Sequence, residues 1–128
     1  MKLVGVGVDI VENSRLNKLI LKKNFIDRIF SKIEILKSKK IKKKYLYFAK
    51  RFAAKEAFVK SLGTGISNGI NFKDISIIND NLGKPSFYIN EKIRKLIKKK
   101  YKTKSFNFFL SISDEKKYSI AFVIFQKK

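Results

Sequence analysis

The chain has 128 residues with 31 Lys and Arg, 10 Asp and Glu, and a formal net charge of +21. This length fits one domain over residues 1–128, and a hydrophobic content of 45% with 12 Phe supplies a modest core. The absence of Cys and His excludes disulfides, thiol chemistry and imidazole ligands, so any catalysis must use carboxylates, lysines, water or a hard cation such as Mg²⁺.

The positive charge implies acidic partners, and nucleic acid, an anionic membrane or an acidic protein would all satisfy it. Sequence-specific nucleic-acid recognition usually relies on arginine, whereas most cations here are lysines, an excess that coding bias alone could produce. No apolar run approaches the roughly 18 residues of a membrane span, and Met1 leads directly into a predicted strand. We therefore expect a cytoplasmic protein that contacts no membrane.

Residues 2–11 alternate in the manner of a β-strand. One face is apolar and is expected to point at the core; it carries Val4, Val6, Val8 and Ile10. The other face carries Gly5 and Gly7 and then Asp9. Because this second face is nearly bare of side chains before Asp9, a helix, a ligand or another backbone can come close to the strand there.

Three short amphipathic segments follow. Ser14 is predicted to cap the first helix, whose cations lie off its apolar side. The second segment covers residues 25–30, and Ser31 with Glu34 forms a capping box that predicts the third helix. The lysine-rich residues 37–44 indicate a solvated loop or a frayed helix end, with contact to a partner as the alternative.

A longer helix is predicted next, on the helical spacing of Tyr45, Phe48, Ala49, Phe52 and Val59. Glu56 falls within the same stripe, and burying an unpaired carboxylate costs several kcal/mol. Glu56 should therefore meet a cation, a metal or a functional site. The alternative is an ordinary pair with Lys60 on a solvated face. A metal at Glu56 would need a second hard oxygen ligand, for which Asp9 is the candidate.

Residues 63–69 form a predicted loop that lacks the GKS ending of a Walker phosphate-binding sequence. Strands are predicted at residues 75–79 and 86–89, joined by a hairpin turn over residues 80–85, and Asn90 is predicted to cap a further helix. Residues 106–113 and 118–126 alternate like strands and carry apolar side chains on both faces. We expect these last two strands to be central in their sheet.

The motifs of this chain resemble those of a known family, the holo-acyl-carrier-protein synthases, which are small phosphopantetheinyl transferases. The matching patterns are GxGxDIVE over residues 5–12, RFAAKEAxxKxLGTG over residues 51–65, Gly83-Lys84-Pro85, and Ser111-Ile112-Ser113. The helix pattern is highly specific, whereas the strand pattern alone also fits a tight packing site. The resemblance implies a single-domain α+β phosphopantetheinyl transferase fold, with an antiparallel sheet packed against helices that include one long central helix.

The resemblance also implies an activity: transfer of the 4′-phosphopantetheine group of coenzyme A to a serine of an apo acyl carrier protein, in fatty acid biosynthesis, with release of adenosine 3′,5′-bisphosphate. It implies that Asp9 and Glu56 hold Mg²⁺ against the pyrophosphate of coenzyme A. Glu56 and Lys60 are the implied catalytic residues, and Lys60 stabilises charge on the leaving group. Either a metal-bound water or Glu56 accepts the serine proton.

Further site residues follow from the same resemblance. The implied contacts with coenzyme A are Arg51, Lys55, Lys60, Gly63, Thr64, Gly65 and Pro85. The glycine turn at residues 63–65 has an alternative role as a helix stop, and Arg51 and Lys55 have one as ordinary surface cations. Glu12 is expected to be structural.

Two partner predictions complete the set. The implied docking residues for an acidic acyl carrier protein are Arg15, Lys18 and Lys22. Relatives are homotrimers with active sites between subunits, which is the expectation here. Asp114 follows Ser-x-Ser where relatives frequently have His, and aspartate cannot donate a hydrogen bond to a phosphate.

The competing hypothesis is a lysine-rich RNA-binding module that holds phosphates by charge. Net charge favours it equally. Phosphate binding gives no reason, however, for an aspartate on a glycine-lined strand or a glutamate in an apolar helical stripe, so nucleic acid is the less favoured partner.

Overall fold

A computed structural model describes residues 1–63 and 69–128, which form a single α+β domain of five strands and five α-helices. In chain order the elements are β1 (Lys2–Glu12), α1 (Asn13–Leu19), α2 (Lys23–Ile29), α3 (Lys32–Ser38), α4 (Lys44–Leu62), a short 3-10 helix (Phe72–Asp74), β2 (Ile75–Asn79), β3 (Pro85–Ile89), α5 (Glu91–Lys100), β4 (Phe106–Asp114) and β5 (Tyr118–Lys127). This order agrees with the sequence prediction. No helix within the two described stretches is long and apolar enough to cross a membrane.

The strands form an antiparallel three-stranded sheet of order β1-β5-β4 and a separate antiparallel hairpin of β2 and β3. The prediction of two central late strands is therefore only half right. β5 is central, but β4 lies at the edge of the hydrogen-bonded sheet. The outer face of β4 is exposed and carries Phe109 among polar residues, so an apolar side chain there did not indicate burial by a neighbouring element.

Local capping signals decide where several helices begin. The capping box of Ser31 and Glu34 is confirmed, because each side chain bonds to the backbone N–H of the other. Asn90 caps α5 as predicted, accepting from the Ile93 N–H at 3.0 Å. Ser14 does not cap α1, which begins one residue earlier at Asn13, and the Ser14 hydroxyl donates to the Glu12 carboxylate at 2.9 Å.

The two faces of β1 are used in the opposite sense from the predicted one. Val6, Val8 and Ile10 are 49%, 54% and 58% exposed, so this part of the valine face is an open surface of the chain and not its core side. Val4, at the register shift between Leu3 and Gly5, is partly buried against the core as predicted. Gly5 and Gly7 instead face α4. A side chain on Gly5 would meet the Ser61 carbonyl oxygen at 1.9 Å, and the glycine face is therefore where a helix approaches closely, one of the three options that the sequence left open.

Helix α4 runs through the middle of the molecule and has 19 residues. Phe48 and Ala49 of the predicted stripe are buried, but Tyr45, Phe52 and Val59 are only partly buried. The fully buried positions extend around more of the helix than the stripe, because the sheet covers one side of α4 and the hairpin and the short helices cover others. The buried set is Tyr47, Phe48, Ala49, Arg51, Ala53, Ala54, Lys55, Ala57, Phe58, Ser61 and Leu62.

A buried ion pair ties α4 to its surroundings. The Lys55 ammonium group lies 2.6 Å from a Glu34 carboxylate oxygen, and neither side chain is measurably open to solvent. Lys55 also donates to the carbonyl oxygens of Phe72, at 2.8 Å, and Ile75, while the other Glu34 oxygen accepts from the Ile77 N–H at 3.0 Å. Burial lowers the pKa of Lys55, and the adjacent Glu34 carboxylate partly offsets that effect. One contact network thus joins α3, α4 and β2.

We predict that Gly7→Ala destabilises the protein by about 3 kcal/mol, the upper part of the range for overpacked interiors. The new methyl group would lie 1.9 Å from the Ala57 carbonyl oxygen, so β1 must move away from α4. Urea unfolding followed by circular dichroism measures the effect. Gly83→Ala is the control: its methyl group meets no atom within 4 Å and brings only the strain of a positive φ, so its cost is expected to be about 1 kcal/mol. Equal losses for the two variants would contradict the close-approach explanation.

Candidate active site

The site is built around a contact between β1 and α4. The Lys60 ammonium group lies 3.0 Å from an Asp9 carboxylate oxygen and 3.1 Å from the Val8 carbonyl oxygen. Asp9 is the first side chain on β1 beyond the two glycines, so the close packing that Gly5 and Gly7 permit brings it beneath the end of α4. Two residues 51 positions apart in the sequence are in this way joined in one cluster.

Glu56 is the third member of this cluster and lies one helical turn before Lys60. Its side chain is half-buried, and burial raises its pKa, with the nearby Asp9 carboxylate raising it further and Lys60 opposing both. Among the described residues, the ion pair that Lys60 makes within 4 Å is with Asp9. Glu56 is therefore beside another acid, which does not fit an ordinary pair with Lys60 on a solvated face.

Beyond the effect of burial, the Asp9 carboxylate raises the pKa of Glu56, and a divalent cation between the two acids would relieve this repulsion. No group of three or more acidic, His or Cys side chains suited to a metal occurs in residues 1–63 and 69–128. Asp9 and Glu56 alone suit a hard cation that takes its remaining ligands from water and substrate oxygens, which is the usual coordination of Mg²⁺. The donor set fits that ion.

A second candidate region is a pocket of about 380 Å³ between α4, the β2–β3 hairpin and the end of β4. Its polar lining comes from Lys50, Arg51, Asn79 and Asp114, and Pro85 closes one side. We call this the Arg51 pocket. It contains two of the predicted contacts with coenzyme A, Arg51 and Pro85.

Arg51 is 9% exposed, and its guanidinium group stacks 3.6 Å from the centre of the Tyr47 ring. It donates to the Tyr47 carbonyl oxygen at 3.3 Å and to the Asn79 side-chain oxygen at 2.9 Å, while its Nε–H has no partner within the described part of the chain. Burial lowers the pKa of Arg51, and Tyr47 and Glu34 counteract that effect. Arg51 lines the pocket and makes no ion pair within 4 Å among the described residues, so its charge is suited to an anion held there.

The two regions lie at opposite edges of the sheet. Asp9 on β1 is paired with Ala121 on β5, and Ala121 is paired with Ile112 on β4, which lines the Arg51 pocket. Two strand spacings place Asp9 about 10 Å from that position along the sheet. Asp9, Glu56 and Lys60 thus lie together in one chain, and Arg51 and Pro85 line a separate pocket.

Other predicted site residues have different fates. Lys55 is fully buried and uses its donors on Glu34 and two carbonyl groups, so it is not an ordinary surface cation, and its contact with coenzyme A stays a prediction. Gly63 ends α4 with a φ of 80°, as a helix stop requires, which leaves its ligand role untested. Thr64 and Gly65 lie outside the described residues.

The predicted docking cations all lie on the surface: Arg15, Lys18 and Lys22 are exposed on α1 and just after it. Sequence reasoning missed Asn79, which holds the Arg51 guanidinium group, and Lys50, whose ammonium group lies 3.9 Å from an Asp114 carboxylate oxygen. No local pattern identifies them, because each acts through a partner on another element. Glu34 was recognised as a cap, but its second role as the partner of Lys55 was not.

Known proteins resemble this chain along its whole length. Residues 5–123 match the family model of the 4′-phosphopantetheinyl transferase superfamily. The holo-[acyl-carrier-protein] synthase of Pelagibacter ubique (strain HTCC1062) is 62% identical over 128 residues, covering 100% of both chains. The corresponding enzyme of Aliivibrio fischeri (strain MJ11) is 42% identical over 128 residues, covering 98% of this chain and 99% of that one.

Solved structures agree. A holo-[acyl-carrier-protein] synthase of Neisseria meningitidis has a TM-score of 0.86 and 38% identity, covering 98% of this chain and 99% of that one. A synthase of Bacillus anthracis str. Ames, described in complex with CoA (3′,5′-ADP), has a TM-score of 0.82 and 32% identity over 100% of both chains. Family model, sequence and fold all coincide, and the chain belongs to the 4′-phosphopantetheinyl transferase superfamily.

Proposed function

We propose that this chain is a holo-acyl-carrier-protein synthase that transfers 4′-phosphopantetheine from coenzyme A to a serine of an apo acyl carrier protein. The observation that carries the proposal is the cluster of Asp9, Glu56 and Lys60, with Lys60 3.0 Å from Asp9. The three residues come from the two motifs that carry the family resemblance. The 62% identity with a synthase over the full chain supports the same activity. The comparisons lend no support to the competing RNA-binding module.

In this reaction the serine oxygen forms a bond to the phosphorus next to pantetheine, and the pyrophosphate bond breaks. Adenosine 3′,5′-bisphosphate leaves with the bonding electrons. Asp9 and Glu56 would hold Mg²⁺, which when bound supplies positive charge to the pyrophosphate. Lys60 adds a cation for the charge that develops on the leaving phosphate. The serine proton passes to Glu56 or to a water in the same cluster.

The Arg51 pocket is the proposed place for the nucleotide end of coenzyme A. The guanidinium charge of Arg51 would attract a phosphate group in this pocket, and Tyr47 and Asn79 hold the guanidinium group in place. Pro85 lies at the same pocket and supplies an apolar wall.

The separation of the two regions supports a homotrimer with active sites between subunits. A site that combines the β1 edge with the Arg51 pocket would form if the β1 edge of one subunit meets the pocket of another, in a head-to-tail contact that closes into a ring. The sheet also exposes an apolar outer face that a neighbouring subunit would bury. That face carries Leu3, Val6, Val8, Ile10, Phe109, Ile120 and Phe122. The number three comes from the family resemblance.

The acidic acyl carrier protein is the proposed partner of the exposed cations Arg15, Lys18 and Lys22. These residues are on α1 and directly after it, and β1 connects α1 to Asp9. A carrier held there would present its serine near the cluster. The proposed setting is fatty acid biosynthesis in the cytoplasm, as the family resemblance implies.

We predict that Asp9→Asn and Glu56→Gln each lower Mg²⁺-dependent transfer by at least about 100-fold, and that Lys60→Ala does so by a similar factor, because each removes charge that acts on the transition state. Intact mass of a carrier protein incubated with enzyme, coenzyme A and Mg²⁺ measures transfer. Lys95→Ala, which removes an exposed lysine from α5, is the control for Lys60 and should keep near-normal turnover. Near-normal turnover of Asp9→Asn or Glu56→Gln would remove that residue from the metal site.

We predict that the double charge reversal Arg15→Glu/Lys18→Glu raises KM for the carrier protein at least about tenfold and leaves binding of coenzyme A within about twofold, since rim charges act mainly on association with the oppositely charged partner. Lys98→Glu/Lys99→Glu makes the same change in net charge on α5 and is the control. Equal loss of carrier and coenzyme A binding would contradict the docking assignment.

We predict a solution mass about three times the 14.9 kDa of one chain, measured by light scattering after gel filtration. Phe122→Asp places a charge on the apolar outer face of the sheet and should give monomers that no longer transfer phosphopantetheine. Leu82→Asp, at an exposed apolar position in the β2–β3 turn, is the matched control and should remain trimeric. A monomeric wild-type protein with full activity would overturn the assembly.

A further inference from the structure

We propose that Lys50 and Asp114 form an electrostatic gate at the Arg51 pocket, in which Asp114 holds Lys50 until a phosphate group of coenzyme A replaces the carboxylate. The inference rests on the proposed placement of the nucleotide end of coenzyme A in this pocket. It assigns Lys50 to substrate binding and makes Asp114 a negative determinant of affinity.

The ion pair between Lys50 and Asp114 is long and partly exposed to solvent. The Lys50 ammonium group and the Asp114 carboxylate are 3.9 Å apart, beyond hydrogen-bond distance, and their side chains are 32% and 36% exposed. Pairs of this kind contribute little to stability, so Lys50 can change partner at small cost. At this distance the negative charge of Asp114 still weakens the attraction of Lys50 for another anion.

The Arg51 pocket is lined by more positive than negative side chains. Arg51 and Lys50 are the two cations that line it, and Asp114 is the one carboxylate that does so among the described residues. No ion pair within 4 Å joins Arg51 to an acid in the described part of the chain. The pocket thus holds a buried cation that an anion would satisfy, together with an acid on β4 that competes for the second cation.

A phosphate group meets both requirements. It carries several acceptor oxygens and up to two negative charges, so one phosphate group can attract Arg51 and Lys50 together, whereas the Asp114 carboxylate lies within 4 Å of Lys50 alone. Binding then exchanges the Lys50–Asp114 contact for a contact with a more highly charged anion. Coenzyme A offers two sources of such charge, its 3′-phosphate monoester and its pyrophosphate.

The test is the dissociation constant of coenzyme A, measured by titration calorimetry in the absence of carrier protein. We expect Asp114→Asn to tighten binding about three- to fivefold and Lys50→Gln to weaken it by a similar factor, the scale of exposed ion pairs. The increase in affinity caused by Asp114→Asn should be smaller at about 0.5 M salt, because salt screens the charges of Lys50, Asp114 and the phosphate group.

Asp74→Asn is the matched control for net charge. Asp74 makes a pair of the same 3.9 Å length with Lys92, and neither residue lines the Arg51 pocket. Its replacement should leave the dissociation constant unchanged. Comparison of coenzyme A with 3′-dephospho-coenzyme A identifies the phosphate: a gain lost with the dephospho compound assigns the gate to the monoester, and a gain retained assigns it to the pyrophosphate.

Unchanged or weaker binding by Asp114→Asn would overturn the gate, and so would an equal gain in Asp74→Asn or unchanged binding in Lys50→Gln. If the wild-type protein binds coenzyme A and modifies the carrier while Asp114→Asn binds as wild type, only the gate is lost. If the wild-type protein binds no coenzyme A, the proposed function is lost with it. Thermal unfolding of each variant checks that the fold is retained.

Discussion

The close approach of β1 to α4 is the constraint on which the candidate site depends. Gly5 and Gly7 leave room for the carbonyl oxygens of Ser61 and Ala57. A Cβ atom on either glycine would lie 1.9 Å from the facing carbonyl oxygen. The next residue on that face is Asp9, which therefore reaches Lys60 at 3.0 Å. Backbone packing without side chains thus fixes the position of a carboxylate more firmly than a flexible loop could.

Lys55 and Glu56 are consecutive charged residues of α4 that lie in different surroundings. Lys55 points into the interior, where Glu34 and two carbonyl groups surround its ammonium group. Removing one partner of such a pair leaves a buried charge uncompensated, so the pair holds α3, α4 and β2 in one arrangement. Glu56, the next residue, lies on the side of α4 that faces Asp9. The buried pair therefore orients the helix that carries Glu56 and Lys60 of the candidate site.

Two features of the single chain call for the same neighbour. The apolar outer face of the sheet leaves Val8, Ile10 and Phe122 exposed to water, and the cluster and the Arg51 pocket lie at opposite edges of that sheet. A ring of subunits would bury the apolar outer face and bring the cluster of one subunit to the Arg51 pocket of the next. On this proposal, assembly and activity are linked, and the charge pair of Lys50 and Asp114 would act in a pocket completed by the neighbouring subunit.

The sequence by itself determined the order of the elements and the caps at Ser31 and Asn90, and it singled out Asp9, Glu56 and Lys60 as candidate site residues, because periodicity, capping and motif spacing are local properties. It did not determine which face of β1 meets the core. Alternation defines two faces of a strand, but only the packing of α4 selects one of them. The tertiary structure likewise decided that Lys55 is buried and that Asn79 holds Arg51, since both depend on partners brought from distant positions in the chain.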